Sequence, residues 1–174
     1  MSRPLLCLDF DGVIHSYTTR WQGAHIISDA PVPGVGRYII HALTSMDVAI
    51  YSSRSRSLRG RRAMKRYVRT IMEETIPVYQ GEAIDAWAAI KGKINLNSEA
   101  IYADVTGVDL VSDIVDVIQW PWFKPSAFIT IDDRALTFNG KWDDPKYDPD
   151  ILKEFKPWNK KTRRRRATNM LGVL

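Results

Sequence analysis

Apolar residues change their spacing several times along the chain, and each change marks an element. Residues 4–10 form an almost unbroken apolar run closed by Gly12, the pattern of a parallel strand covered on both faces, and the run reaches Asp9. An irregular stretch rich in Ser, Thr and aromatic residues follows. Pro31 and Pro33 then precede Val35, Ile39, Ala42, Leu43 and Met46, whose spacing predicts a helix. Residues 47–52 read as a second strand. Residues 58–74 read as an amphipathic helix with Met64, Tyr67, Val68, Ile71 and Met72 on its core face and arginines on the other. The pattern weakens over 77–123, where it suggests a helix at 83–90, a strand near Ile101 and a helix over 108–118. Residues 127–131 form the third clear strand and run into Asp132 and Asp133. Residues 143–150, with Pro145 and Pro149, read as a loop leading to a short helix at 151–155 and then a basic tail.

Strands alternating with helices predict an α/β fold, a Rossmann-like parallel sheet with helices on both faces. The expected division is a core over 1–142, in which 77–123 leaves room for a small cap or insertion, followed by a linker, short helix and basic C-terminal tail over 143–174. With 174 residues, 45% of them hydrophobic, and six Trp, seven Tyr and five Phe, the chain can fill one sizeable core. Its single cysteine, Cys7, sits inside an apolar run, which excludes an intramolecular disulfide and predicts a core thiol. No run approaches the roughly 20 apolar residues of a membrane span, and residues 4–8 are too short and too soon acidic for a signal peptide. No membrane partner and a cytoplasmic location are therefore expected.

The net charge of +5 is unevenly distributed. Residues 54–69 hold eight basic and no acidic residues, and residues 151–174 hold eight basic residues against Glu154 alone. The remaining 134 residues are acidic, with nine basic and nineteen acidic side chains. Two basic blocks on an otherwise acidic chain suit either a polyanion partner or plain solvated faces.

Candidate chemistry gathers at strand ends. Asp9, Ser52 and Asp132 each close a predicted strand, at the edge where open α/β sheets bind ligands. Asp9 and Asp11, two residues apart with Gly12 relaxing the turn, can hold a cation and divide nucleophilic and acid/base work between them. Asp132 and Asp133 form a second acidic pair.

These residues resemble the four motifs of the haloacid dehalogenase (HAD) superfamily. LLCLDFDGVI, residues 5–14, is similar to motif I, and DVAIYS ending at Ser52 is similar to motif II. Lys124 stands where motif III has a lysine, and ITIDD resembles motif IV. The resemblance implies a HAD-like core with a small cap or none, because only 42 residues separate Asp9 from Ser52. It also implies a Mg2+-dependent phosphatase in which Asp9 attacks phosphorus and forms an aspartyl-phosphate. Asp11 would be the general acid and base, with its pKa raised for that work. Magnesium would be held by Asp9, the Asp11 backbone carbonyl and Asp132, with Asp133 acting directly or through water. Ser52 would donate to a phosphoryl oxygen, and Lys124 would offset charge. Dehalogenases lack an acid at the position of Asp11, and the transport ATPases continue with a Lys-Thr-Gly-Thr sequence that is missing here. Phosphatase is what remains.

Around the motifs, Ser52-Ser53-Arg54 and Ile131-Asp132-Asp133-Arg134 resemble the 3'-phosphatase domain of phage polynucleotide kinase, although no P-loop sequence is present. A nucleic-acid terminal phosphate is then the expected substrate, met by Gly12, His15, Ser53, Arg54 and Arg56, with Arg62, Arg66 and Arg69 tracking farther along a strand. Tyr17 and Trp21, on the loop after motif I, are expected to stack on a base or to roof the site. Mononucleotide 5'-phosphatases share DFDGV and the Pro33-Gly34 helix start, and so form the main alternative. A nucleic-acid-binding protein on a HAD scaffold is the second.

Overall fold

The computed structural model describes residues 3–92, 109–137, 139–141 and 143–159. The expected strand near Ile101 and the basic tail from residue 160 onward lie outside the described residues. The described chain is α/β, built on a parallel sheet ordered β2-β1-β3, with β1 at Leu5–Leu8, β2 at Asp47–Ile50 and β3 at Ile129–Ile131. Leu6 and Leu8 pair with Val48 and Ile50, and together they form the buried face of the sheet. On the opposite face Cys7 and Ala49 are also closed to solvent, and burial pushes the Cys7 thiol up from its ordinary value. Gln119 continues the sheet past β2, exchanging backbone bonds with Val48 and Ile50.

From β1 the chain passes to β2 on one side and later to β3 on the other, which makes the end of β1 a topological switch point. Asp9 stands there. Four helices follow the predicted periods: α1 (Val35–Leu43), α2 (Leu58–Thr75), α3 (Gln80–Ile90) and α4 (Leu110–Val117). Ser57 caps α2 by accepting from Gly60 N–H, and Asp109 caps α4 by accepting from Ser112 N–H. Met64, Val68, Ile71 and Met72 of α2 enter one continuous core with Ile39 and Ile40 of α1, Ile84 and Trp87 of α3, and Ile114 and Val115 of α4. The described parts of 77–123 are therefore largely core layer, with Trp87 tied to α4 by a 2.8 Å bond to Asp113.

All four of these helices contribute residues to the core cluster that contains Leu6 and Leu8. The return from Gln119 to β3 takes only residues 120–128, which include Pro121 and Pro125 and form no helix. β3 itself is a sheet edge among the described residues, so Ile129 and Ile131 keep 51% and 37% of their surface exposed. Beyond it, among the described residues, lie a 3-10 turn at Pro145–Tyr147 and a single α-helical turn, α5, at Pro149–Leu152, two residues earlier than the expected start of the short helix. Among the described residues no helix is long and apolar enough to cross a membrane.

Candidate active site

The parallel pairing aligns the three strand ends. Asp9 N–H donates to the Ile131 carbonyl at 2.9 Å, and Tyr51 N–H donates to the Leu8 carbonyl at 3.0 Å. Asp9 consequently emerges between Ser52 on one side and Asp132 and Asp133 on the other. Carboxylate oxygens of Asp9, Asp132 and Asp133 all lie within 4.8 Å of one another. Gly12 closes the space beneath them. It has φ +97°, and a Cβ there would stand 2.4 Å from a carboxylate oxygen of Asp133, so any side chain would displace that carboxylate. The Asp133 side chain is only 1% exposed and lies 3.7 Å from Arg134 Nε.

Burial, reinforced by the charges of Asp132, Asp11 and Asp133, pushes the Asp9 carboxyl up to about 7 against an opposing hydrogen bond from the Phe10 backbone. Three converging carboxylates repel each other unless a cation screens them. An all-oxygen donor set of this kind fits a hard divalent ion such as magnesium.

Asp11 was expected to offer the ion its backbone carbonyl and to carry a raised pKa; its side chain stays apart from the carboxylate cluster, and its pKa is lowered, not raised. It turns toward Arg54, whose Nε donates to its two oxygens at 2.8 and 3.0 Å, and toward His15, whose Nδ1 lies 2.9 Å away. Burial opposes its ionisation, but the His15 and Arg54 hydrogen bonds and the Arg54 charge prevail and hold it below the ordinary carboxylate range. The backbone N–H of Asp29 donates to His15 Nε2 at 3.1 Å, which leaves the ring proton on Nδ1, directed at Asp11. Ser52 is 3% exposed; its hydroxyl leans toward Asp11 at a long 3.5 Å and also accepts from Arg54 N–H.

Arg54 and His15 were expected to touch substrate, yet each is 1% exposed. Arg54 Nη1 donates to the carbonyls of Gly23, Ala24 and Ile26 at 2.8 to 3.0 Å, and Trp21 covers the guanidinium at 4.5 Å. Trp21 thus roofs Arg54. A buried charge needs such saturation, and the consequence is that Arg54 pins the loop after motif I in place of reaching a phosphate. Gly60 secures the same junction, because a Cβ there would meet the Arg54 carbonyl at 2.3 Å. Ser53 and Arg56, on the 3-10 turn Ser53–Arg56, remain exposed at the rim. Lys124 is exposed, and its charge lowers the Cys7 thiol pKa against the effect of burial.

Residues near the end of the described chain join the site without having been anticipated. Trp158 Nε1 donates to the Gly12 carbonyl at 2.8 Å, and Asn159 Nδ2 donates to the carbonyls of Ser16 and Tyr17 at 3.0 and 3.3 Å. Local sequence carries no signal for a contact spanning 146 positions. Tyr67 of α2 was expected only as core, but its hydroxyl also holds the Asp29 carbonyl at 2.8 Å and its ring meets His15 edge-on.

No family model, curated protein or solved structure matches this chain.

Proposed function

We propose that this chain is a magnesium-dependent phosphomonoesterase of HAD type, acting through an aspartyl-phosphate on Asp9 and taking a nucleic-acid terminal phosphate as substrate. The observation that carries the reading is the convergence of Asp9, Asp132 and Asp133 at the switch point, with Ser52 just past the end of the neighbouring strand. Asp9, Asp132 and Asp133 would hold the ion, which when bound screens the nucleophile and polarises a phosphoryl oxygen. In the first half an Asp9 oxygen bonds to phosphorus and the ester P–O bond breaks, the departing oxygen keeping the bonding pair and taking its proton from solvent water. Ser52 rotates from its weak Asp11 contact to donate to a phosphoryl oxygen, and Lys124 offsets the phosphoryl charge. In the second half water attacks phosphorus, the bond to Asp9 breaks and inorganic phosphate leaves. Asp11, ionised as it stands, takes the proton of that water. Donation to an alkoxide leaving group requires Asp11 to be protonated first, which the Arg54 pairing opposes.

Hydrolysis of a generic aryl phosphate with and without magnesium is the primary test, and a purified protein with no magnesium-dependent turnover would sink the assignment. Asp132→Ala removes one anionic ligand, so it is expected to raise the magnesium concentration for half-maximal rate about tenfold or more. The same variant should show a smaller rise in thermal midpoint on adding magnesium, because a weaker ligand set contributes less linkage stabilisation. If neither quantity moved, Asp132 would not be a ligand. Asp11→Asn is expected to slow turnover roughly a hundredfold or more and to let radiolabelled phosphoenzyme accumulate, since the intermediate forms but loses its base. Loss of turnover with no trapped phosphoenzyme would place Asp11 before the covalent step.

A further inference from the structure

A second surface begins within one turn of Ser52. Trp122 and Phe123 are 44% and 81% exposed, and their side chains line a shallow groove together with Arg56 of the 3-10 turn. Arg61, in the first turns of α2, packs over Trp122 with its guanidinium carbon 4.1 Å from the ring centroid, and donates to the Trp120 carbonyl. Farther along α2, Arg62 and Arg66 stand one turn apart on one face and border a second groove. Both are exposed, and neither meets a carboxylate among the described residues, whereas the adjacent Lys65 and Arg69 are engaged by Asp116 at 2.9 Å and Ser112 at 3.2 Å.

Two large exposed rings, next to a helix whose Arg62 and Arg66 meet no carboxylate among the described residues, suit a ligand that satisfies both. An apolar partner would cover the rings and strand the arginines. A polyanion without flat faces would do the reverse. Duplex nucleic acid keeps its base faces stacked inside. A single strand offers open π-faces and a phosphate at every step, the combination recognised by stacking platforms set in basic grooves. We infer that Trp122 and Phe123 stack the bases of a single-stranded nucleic acid whose phosphates follow Arg62 and Arg66 along α2. The inference deepens the proposed function and rests on it in one respect, that the strand's terminal phosphate enters the site at Ser52.

The test uses the full chain and a labelled oligothymidylate of about a dozen nucleotides that lacks a terminal phosphate, so binding is read without catalysis. Fluorescence anisotropy across roughly 50 to 200 mM salt should give measurable affinity that falls as salt rises. Trp122→Ala/Phe123→Ala is expected to weaken binding about five- to a hundredfold while aryl phosphate hydrolysis is kept. Phe123→Ala alone, at a site that packs little, should weaken it severalfold and guards against misfolding of the double variant. Arg62→Gln/Arg66→Gln should lower the slope of log affinity against log salt by about 1.4, two contacts at about 0.7 each. Unchanged affinity in both aromatic variants, or no binding by the parent protein, would overturn the inference. Self-association in sedimentation that the same substitutions abolish, without oligonucleotide binding, would overturn it in favour of an interface between copies. Failure of aryl phosphate hydrolysis alongside intact oligonucleotide binding would remove the phosphatase reading and leave this surface standing.

Discussion

Asp9→Asn is expected to abolish magnesium-dependent phosphoester hydrolysis, by roughly ten-thousandfold or more, because an amide cannot form the acyl-phosphate bond. The substitution preserves shape, so the loss should come without a loss of fold. Burial and the neighbouring carboxylates raise the Asp9 pKa from 3.8 to about 7, so the metal-free protein loses stability as pH rises between those values and carries the full penalty above about pH 7. The sign follows from linkage: an acid whose folded pKa lies above its unfolded value weakens the folded state once pH exceeds the unfolded pKa. Without metal and above about pH 7, Asp9→Asn should therefore unfold at the same temperature as the parent or a higher one. Thermal unfolding in a chelator, alongside aryl phosphate kinetics, checks both parts. Persistent turnover in the purified variant would require a different nucleophile.

Arg54→Ala should carry the largest stability loss among the site residues, about 3–5 kcal/mol, as expected when one partner of a buried ion pair is removed. The Asp11 charge would be left in a pocket built for a guanidinium, and the carbonyls of Gly23, Ala24 and Ile26 would lose their shared donor. Since a domain of this size is stable by only about 5–15 kcal/mol, much of the margin would go. The double variant Arg54→Met/Asp11→Asn removes both charges, and it should recover a large part of the loss while remaining inactive. Urea midpoints of the parent, the single variants and the double variant close the cycle. An Arg54→Ala loss below about 1 kcal/mol would mean that the pair is solvated, at the level of a surface salt bridge.

The sequence by itself determined the elements and the edge at which they act. Apolar runs at β1 and β2 and the 3.6-residue spacing of α1 and α2 are local consequences of burying one face or stripe, and they are legible without neighbours. Asp9, Ser52 and Asp132 could be read as convergent because parallel strands in such a fold deliver their ends to one side. Gly12 could be read as a turn former, although nothing in the sequence shows that the Asp133 carboxylate fills the space of its missing side chain.

Tertiary structure alone decided what each charged group does. Arg54 and Arg56 differ by two positions in one basic run, yet the 3-10 turn after Ser52 buries the first against Asp11 and leaves the second in solvent. Burial sets whether a guanidinium must be saturated by protein oxygens or stays free for a ligand, and local sequence does not encode burial. Asp11 followed the same logic: a carboxyl expected above its ordinary pKa lies below it, because Arg54 and His15 arrive from other segments of the chain. No pattern in the sequence singles out Trp122 or Trp158 among its six Trp residues. Only the folded chain places one under Arg61 beside a basic helix and the other on the Gly12 carbonyl, since contacts between distant positions arise from the way the elements pack and not from any local pattern.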